Sequence, residues 1–461
     1  MSSDLSDATK DEQIRALESK VRELETKLSK REGRQQQLPQ DITTEHVAEE
    51  AVSSQDSFFR RPPPDQGLTA EEIERYSRQL ILSQGFGVSG QQKLLSSSVL
   101  VIGAGGIGST LLMYLATSGV GQLGIVDFDN VEISNLHRQV IHRTDRVGQN
   151  KAASAKQTLE ALNPLVSYKI HECKVDANNI MNLVEQYDCV VDCSDNPKTR
   201  YLVNDACILT NKPLISGSAV GLEGQITVYN YQNGPCYRCL YPRPSASAGC
   251  RSCADAGVFG PVPGLIGILQ AIETIKVLTG TGSVLSNRLL MYDSMQASFL
   301  SIKKPPKRPK CPVCGSAPII RSMVDSQETL VTAVGPQLEL TPAALADDLE
   351  VTCEAYNKVR QSSTPHILLD VRVKEQYELC RLPDSVHIPL DSLTGELDRI
   401  ERISGGKLPI YCVCRRGIAS ADATIILNEA KVSRLGIHSV FNVKGGLDSW
   451  RTSVDPSFPR Y

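Results

Sequence analysis

The 461-residue chain has no surplus of either charge: 49 Lys and Arg stand against 52 Asp and Glu, a net charge of −3. A general nucleic-acid binder would show a basic excess, and an acidic disordered chain the opposite, so the balance argues against both. The N-terminal stretch MSSDLSDATKDEQ lacks the apolar core of a signal peptide. No clean membrane span is found either. The uncharged stretch Val99–Val126 holds seven glycines and breaks into strand, Gly turn, helix, Gly turn and strand. No long internal repeat occurs. These absences predict a cytoplasmic, cytosolic protein with no membrane and no direct nucleic-acid partner. Cysteine, by contrast, is plentiful. In that compartment the 14 cysteines should serve as reduced thiols, metal ligands or catalytic groups rather than as disulfides.

With 41% apolar residues the chain can bury a real core, and its length suits two or three domains. Residues 1–35 form a short N-terminal segment. Ile14, Leu17, Val21, Leu24 and Leu28 recur at 3-4-3-4 spacing, with Glu18–Arg22 and Glu23–Lys27 at i,i+4. Two heptads fit a short coiled coil or a single solvated helix equally. Residues 36–66, rich in Gln, Ser and Pro, read as a linker. From 67 to 318, strands at Ser98–Ile102, Gly124–Phe128, Cys189–Cys193 and Pro213–Ser216 alternate with helices such as Gly108–Thr117, which predicts an α/β fold with a doubly wound sheet. Residues 319–340 read as a second linker. A smaller α/β unit follows at 341–461, with a helix after Thr341-Pro342, strands at His366–Val371, Leu408–Val413 and Ser439–Val443, and a helix after Gly417.

Gly103-Ala104-Gly105-Gly106-Ile107-Gly108 fits G-x-G-x-x-G between a strand and a helix, where backbone N–H groups approach a phosphate closely. Asp127 ends the next strand, the place for a ribose contact. Alone, this suits a dehydrogenase as well as anything else. Around it, however, stand Ser134-Asn135-Leu136-His137-Arg138-Gln139, Lys151 and Asp195-Asn196. Cations and a carboxylate near a phosphate loop suit a triphosphate and its Mg²⁺ better than a dinucleotide.

With Arg75-Tyr76-Ser77-Arg78-Gln79, Glu223-Gly224-Gln225-Ile226-Thr227-Val228 and Cys236-Tyr237-Arg238-Cys239, the stretch 68–315 resembles the MoeB/ThiF branch of the E1-like activating enzymes, which have a Rossmann-type fold. The resemblance implies dimers that use ATP and Mg²⁺ to adenylate the C-terminal Gly-Gly carboxylate of a ubiquitin-like sulfur carrier protein. It implies nucleotide contacts at Gly106, Asp127, Ser134, Asn135, Leu136, His137, Arg138, Lys151, Asp195 and Asn196. Arg78 would reach into the neighbouring subunit's site.

C-x-x-C occurs three times, at Cys236/Cys239, Cys250/Cys253 and Cys311/Cys314. Two pairs complete a tetrahedral Zn²⁺ site, and spacing does not choose which. The resemblance implies the first and third, one structural Zn²⁺ per chain. Cys253 then lies in a Gly/Ser/Ala-rich loop where Arg251 favours its thiolate, and the resemblance implies a reactive thiol there. Cys250 is read as a bystander.

Leu368-Leu369-Asp370-Val371-Arg372, His387-Ile388-Pro389, Cys414-Arg415-Arg416-Gly417 and Lys444-Gly445-Gly446-Leu447-Asp448-Ser449-Trp450 resemble a rhodanese domain. Cys414 would end a strand and precede a helix, so that a loop aims N–H groups and the helix dipole at its sulfur. That cradle suits a persulfide. A phosphatase C-x5-R loop is excluded, because position 420 is Ser. Cys412, two residues earlier, reads as packing. Relatives of this two-domain type commonly carry Asn-Asp-Ser where this chain has Ile418-Ala419-Ser420, which opens the alternative of an adenylating scaffold with a degenerate rhodanese domain. The joined domains imply sulfur transfer from a cysteine desulfurase or other persulfide donor to the carrier, serving molybdenum-cofactor synthesis and tRNA wobble-uridine 2-thiolation.

Overall fold

A computed structural model describes residues 67–83, 85–242, 257–334, 345–431 and 439–461. The chain divides into residues 1–59 and 60–461, and every described residue belongs to the second unit. The expected N-terminal helix and first linker lie outside the described residues, as do Cys250 and Cys253.

The first α/β body is built on an eight-stranded sheet. Its strands are β1 (Ser98–Ile102), β2 (Gln122–Val126), β3 (Ser167–His171), β4 (Cys189–Asp192), β5 (Leu214–Val220), β6 (Glu223–Tyr229), β7 (Arg288–Asp293) and β8 (Ser298–Lys303), in the order β3-β2-β1-β4-β5-β6-β7-β8. The first five in that order pair in parallel and the last three join antiparallel. β1 is Ser-Val-Leu-Val-Ile and is buried along its whole length. Such a run suits a central strand covered by helices on both faces. The order reverses at β1, and the crevice beyond its carboxyl end is where this class of sheet binds ligands.

The longest described helix, Pro261–Thr279, meets the length and apolarity of a membrane span. It is instead a core helix packed against the helix Gly106–Thr117 and β5. A side chain at Gly267 would overlap the Ile107 carbonyl oxygen, so the two helices touch backbone to backbone there.

The second body carries β9 (Glu350–Val351), β10 (Ile367–Asp370), β11 (Val386–His387), β12 (Ile410–Val413) and β13 (Val440–Val443), all parallel, in the order β11-β10-β12-β13-β9. Here the order reverses between β10 and β12, and Cys414 directly follows β12.

One expectation needs correction. The span 319–340 is not all linker: residues Met323–Val334 form a helix that packs on the helix Pro197–Leu209. Met323 and Ser326 are buried, and the Ser326 hydroxyl donates to Asp205 Oδ2 at 2.6 Å. Helical content was masked in the sequence by the short amphipathic face and the flanking prolines. The start of the helix expected after Thr341-Pro342 lies outside the described residues; beyond it come a 3-10 turn, Asp347–Leu349, and the helix Cys353–Gln361, capped by the Thr352 hydroxyl.

Candidate active sites and metal centre

The glycine loop leaves β1 at Gly103, whose φ of +99° suits glycine. A side chain at Gly108 would overlap the Gly103 carbonyl oxygen, so the loop closes on itself as it enters the helix. No side chain caps that helix start at Gly105, which leaves first-turn N–H groups facing the crevice for an anion. Arg138 lies over the loop, its Cγ 3.5 Å from where a Gly106 side chain would begin. Its guanidinium is fixed by Asn135 Oδ1 (2.8 Å) and the Ser134 carbonyl (3.1 Å), and it sits against His137 Nε2 (2.7 Å). Burial first and then Arg138 push the His137 ring below its ordinary value. Leu136 is the half-buried residue between these polar groups.

The remaining nucleotide candidates divide into those already engaged and those exposed. Asp127 Oδ2 accepts from Ala104 N at 2.8 Å, and Oδ1 accepts from Asp129 N at 2.9 Å. Burial raises its carboxyl, opposed by Lys151. Lys151 opens the helix Lys151–Leu162 and pairs with Asp129 at 2.9 Å. Asn196 caps the helix Pro197–Leu209 through Thr199 N, while Asp195 beside it is exposed. Arg78 is exposed in the last turn of the helix Ala70–Leu80, and among the described residues no hydrogen bond or ion pair joins it to the glycine loop.

Two further supports of this site were not singled out in the sequence, Asp129 and His142, and a third, Gln139, was named there only as the end of the Ser134–Gln139 stretch. Asp129 is the partner of Lys151; a second acid two residues after Asp127 was the available signal. Gln139 is buried, with its Nε2 3.6 Å from where a Gly105 side chain would begin and its Oε1 without a partner. His142 is buried beneath the loop, with Nε2 2.9 Å from the Ala104 carbonyl and Nδ1 3.0 Å from Ser154 Oγ. Burial pushes it down to about 4, so the neutral ring donates to Ala104 and accepts from Ser154. Nothing in its sequence neighbourhood marks it.

The four sulfurs of Cys236, Cys239, Cys311 and Cys314 lie within 4.8 Å of one another. Their closest separations are 3.8, 3.6 and 3.4 Å. A tetrahedral Zn²⁺ with ~2.3 Å bonds needs sulfurs about 3.8 Å apart, so the set fits that ion. Among the described residues the first and third pairs come together, while Cys250 and Cys253 lie outside them. Arg308 N donates to Cys239 Sγ at 3.4 Å. Between the first two ligands, Arg238 is fully buried and forks onto Asp205 at 2.7–3.0 Å. Asp205 also receives Ser326, so this ion pair ties the knuckle to the helix Met323–Val334.

In the second body, Gly417 N (3.1 Å) and Ser420 Oγ (3.2 Å) both donate to Cys414 Sγ. The loop is tied at its backbone. Leu447 N and Asp448 N donate to the carbonyls of Cys414 and Arg415 at 2.9 Å. Gly417, with φ +83°, has Gly445 N 2.6 Å from where its side chain would begin. Ser420, read before only as a missing arginine, is therefore a donor to the sulfur. Cys412 is buried in the apolar core, and burial pushes its thiol up to about 12. Packing is its role.

A glycine-loop crevice and a four-cysteine knuckle in one body, with a cysteine cradle in the next, define an E1-like activating enzyme joined to a rhodanese domain. The ThiF family signature matches residues 76–313, and the rhodanese-like domain signature matches residues 353–453. The adenylyltransferase and sulfurtransferase MOCS3 of Drosophila persimilis is 41% identical over 99% of each chain. That of Dictyostelium discoideum is 42% identical over 86% of this chain and 98% of its own. A crystal structure of E. coli MccB aligns at 28% identity with a TM-score of 0.48, over 52% of this chain and 75% of that one. The chain belongs to the adenylyltransferase and sulfurtransferase MOCS3 family, within the wider ThiF family. It is an enzyme of two activities, and the degenerate-scaffold alternative is not favoured.

Proposed function

We propose that the chain adenylates the C-terminal Gly-Gly carboxylate of a ubiquitin-like sulfur carrier and then converts it to a thiocarboxylate. The observation that carries this reading is the pairing of an uncapped helix start beside Arg138 with a sulfur held by two donors at Cys414, in one chain. ATP is the substrate of the first centre. Its phosphates meet the first-turn N–H groups of the helix Gly106–Thr117, with Arg138 and Lys151 neutralising their charge. For that, Lys151 exchanges Asp129 for a phosphate. The carboxylate oxygen of the carrier attacks the α-phosphorus and pyrophosphate leaves, which turns a poor electrophile into an acyl-adenylate. Asp195 would hold Mg²⁺, which would supply charge neutralisation of the phosphates. Arg78 completes the site of the second subunit in a homodimer.

At the second centre Cys414 carries a persulfide from a cysteine desulfurase or another donor. Its terminal sulfur attacks the acyl carbon, and AMP leaves. A second thiol, for which Cys253 is the candidate from the sequence, attacks the Cys414 sulfur of the resulting acyl disulfide: the thiocarboxylate leaves, a Cys253–Cys414 disulfide forms, and a dithiol reductant restores both thiols. One Zn²⁺ per chain is structural, held by Cys236, Cys239, Cys311 and Cys314. The setting is the cytosol, and the carriers are those of molybdenum-cofactor synthesis and tRNA wobble-uridine 2-thiolation.

The test is ATP–pyrophosphate exchange and thiocarboxylate yield with each candidate carrier. Cys414→Ser should keep exchange and stop thiocarboxylate formation. Loss of both activities in a folded Cys414→Ser enzyme, or no carrier-dependent exchange in the native one, would sink the reading.

A further inference from the structure

Tyr461 lies in a chain of contacts that ends at the cysteine loop. Arg372 is almost fully buried and forks onto Asp370 at 2.6–3.1 Å. Its NH2 also donates to the Cys380 carbonyl (2.7 Å), and its NH1 to the Gln376 carbonyl (3.0 Å) and to the Tyr461 hydroxyl (2.6 Å). All five of its N–H donors are thereby placed. The same Tyr461 ring has the Arg415 guanidinium 5.1 Å from its centroid, on the side chain adjoining Cys414 in sequence. Asp448 Oδ2 stands 3.7 Å from Arg415 Nε. Arg415 keeps about a fifth of its side chain exposed.

We infer that Tyr461 is a positioning residue for sulfur-donor recognition: it restrains the guanidinium of Arg415, the residue that follows Cys414, for an anionic sulfane donor. This rests on the sulfurtransferase reading of Cys414. An arginine is a fork for anions, and an unrestrained one loses rotamer freedom on binding. The aromatic face and Asp448 restrain it beforehand, so that this loss is met on folding and not on binding. With thiosulfate as the donor, the Cys414 thiolate attacks the sulfane sulfur. The S–S bond of thiosulfate breaks, sulfite leaves with the electron pair, and Cys414 becomes a persulfide anion. The donor carries two negative charges throughout its approach, so the place of the Arg415 cation governs its binding more than the bond exchange.

Two variants separate positioning from mere structure. Tyr461→Phe and Tyr461→Ala both leave one buried Arg372 donor without its partner and should lower the melting temperature, Tyr461→Ala the more because it also removes the ring from Arg372 and Arg415. Only Tyr461→Ala removes the ring from Arg415. It should raise KM for thiosulfate about threefold to fivefold with kcat within about twofold, whereas Tyr461→Phe stays within about twofold of native KM. Arg415→Ala should raise KM at least as much, and adding Tyr461→Ala to it should cost nothing more. An unchanged KM in Tyr461→Ala, equal KM changes in the Phe and Ala variants, or additive effects with Arg415→Ala would overturn the proposal. If Tyr461→Ala does not fold, Tyr461→Leu takes its place. A native enzyme that transfers no sulfur from thiosulfate or persulfide would instead defeat the sulfurtransferase reading itself.

Discussion

The glycine loop after β1 and the cysteine loop after β12 occupy equivalent places in two parallel sheets, each where a strand ends and a helix begins near a reversal of strand order. Both use glycine for close backbone approach. Gly108 lies against the Gly103 carbonyl, and Gly417 against Gly445. They differ in what the N–H groups face. The first helix start has no side-chain cap and looks out on a crevice. In the second, Gly417 N and the Ser420 hydroxyl turn inward onto a sulfur of the chain itself. One local design thus leaves N–H groups without a side-chain cap in the first body and turns them onto a sulfur of the chain itself in the second. The supports differ too. The glycine loop is held by side chains from elsewhere in the chain, Asp127 and His142, whereas the cysteine loop is held by the backbone of residues 447–448.

The largest test of this comparison is a pair of alanines. Gly108→Ala should abolish pyrophosphate exchange and spare thiosulfate sulfurtransfer, since its Cβ overlaps a backbone oxygen. Gly417→Ala, strained at positive φ and pressed on Gly445, should do the reverse. Each should cost its own body on the order of 2 kcal/mol or more. Loss of both activities from either single change would show that the two loops are not separable. A smaller effect sharpens the second half. Ser420→Ala removes one of the two donors to Cys414 Sγ found among the described residues, and a hydrogen bond to a charged group contributes about 1.5–3 kcal/mol. Iodoacetamide alkylation of Cys414 at neutral pH, and sulfur transfer, should slow roughly tenfold while exchange is untouched. Rates equal to native would assign the cradle to the backbone alone.

The smallest effect at neutral pH concerns His142. Its folded-state value is held down to about 4, mainly by burial and further by Lys151 and Arg146, while the unfolded chain keeps the ordinary 6.5. Between these values the unfolded state binds the extra proton, so stability falls as pH drops from about 6.5 toward 4. The full loss from this group is on the order of 3 kcal/mol. His142→Gln should flatten that segment of the stability–pH curve and change little at pH 7.5. A native curve that is already flat between pH 6.5 and 4 would refute the assignment.

Much of this arrangement could be read from the residues in order. The apolar Val99–Ile102 run and the glycines after it place a phosphate loop at a strand end, because only that local pattern meets both the burial and the close approach. Cys414 before a glycine turn and a helix, with no arginine at position 420, likewise identifies a sulfur cradle from local chemistry. Other features were not legible because their partners are remote. The helix Met323–Val334 looked like linker, and its anchor is Asp205, 121 residues away. His142 binds a carbonyl 38 residues earlier, and Tyr461 meets Arg372 from 89 residues downstream.

The sequence by itself determined the two loops, the alternation of strands and helices, and the existence of three C-x-x-C pairs, since each depends on residues within a turn or two of one another. Only the tertiary structure decided that Cys236 and Cys239 share a sulfur cluster with Cys311 and Cys314, and that His142 and Ser420 serve the two loops. Those are contacts between elements, and packing of the whole sheet, not local spacing, fixes which side chains meet.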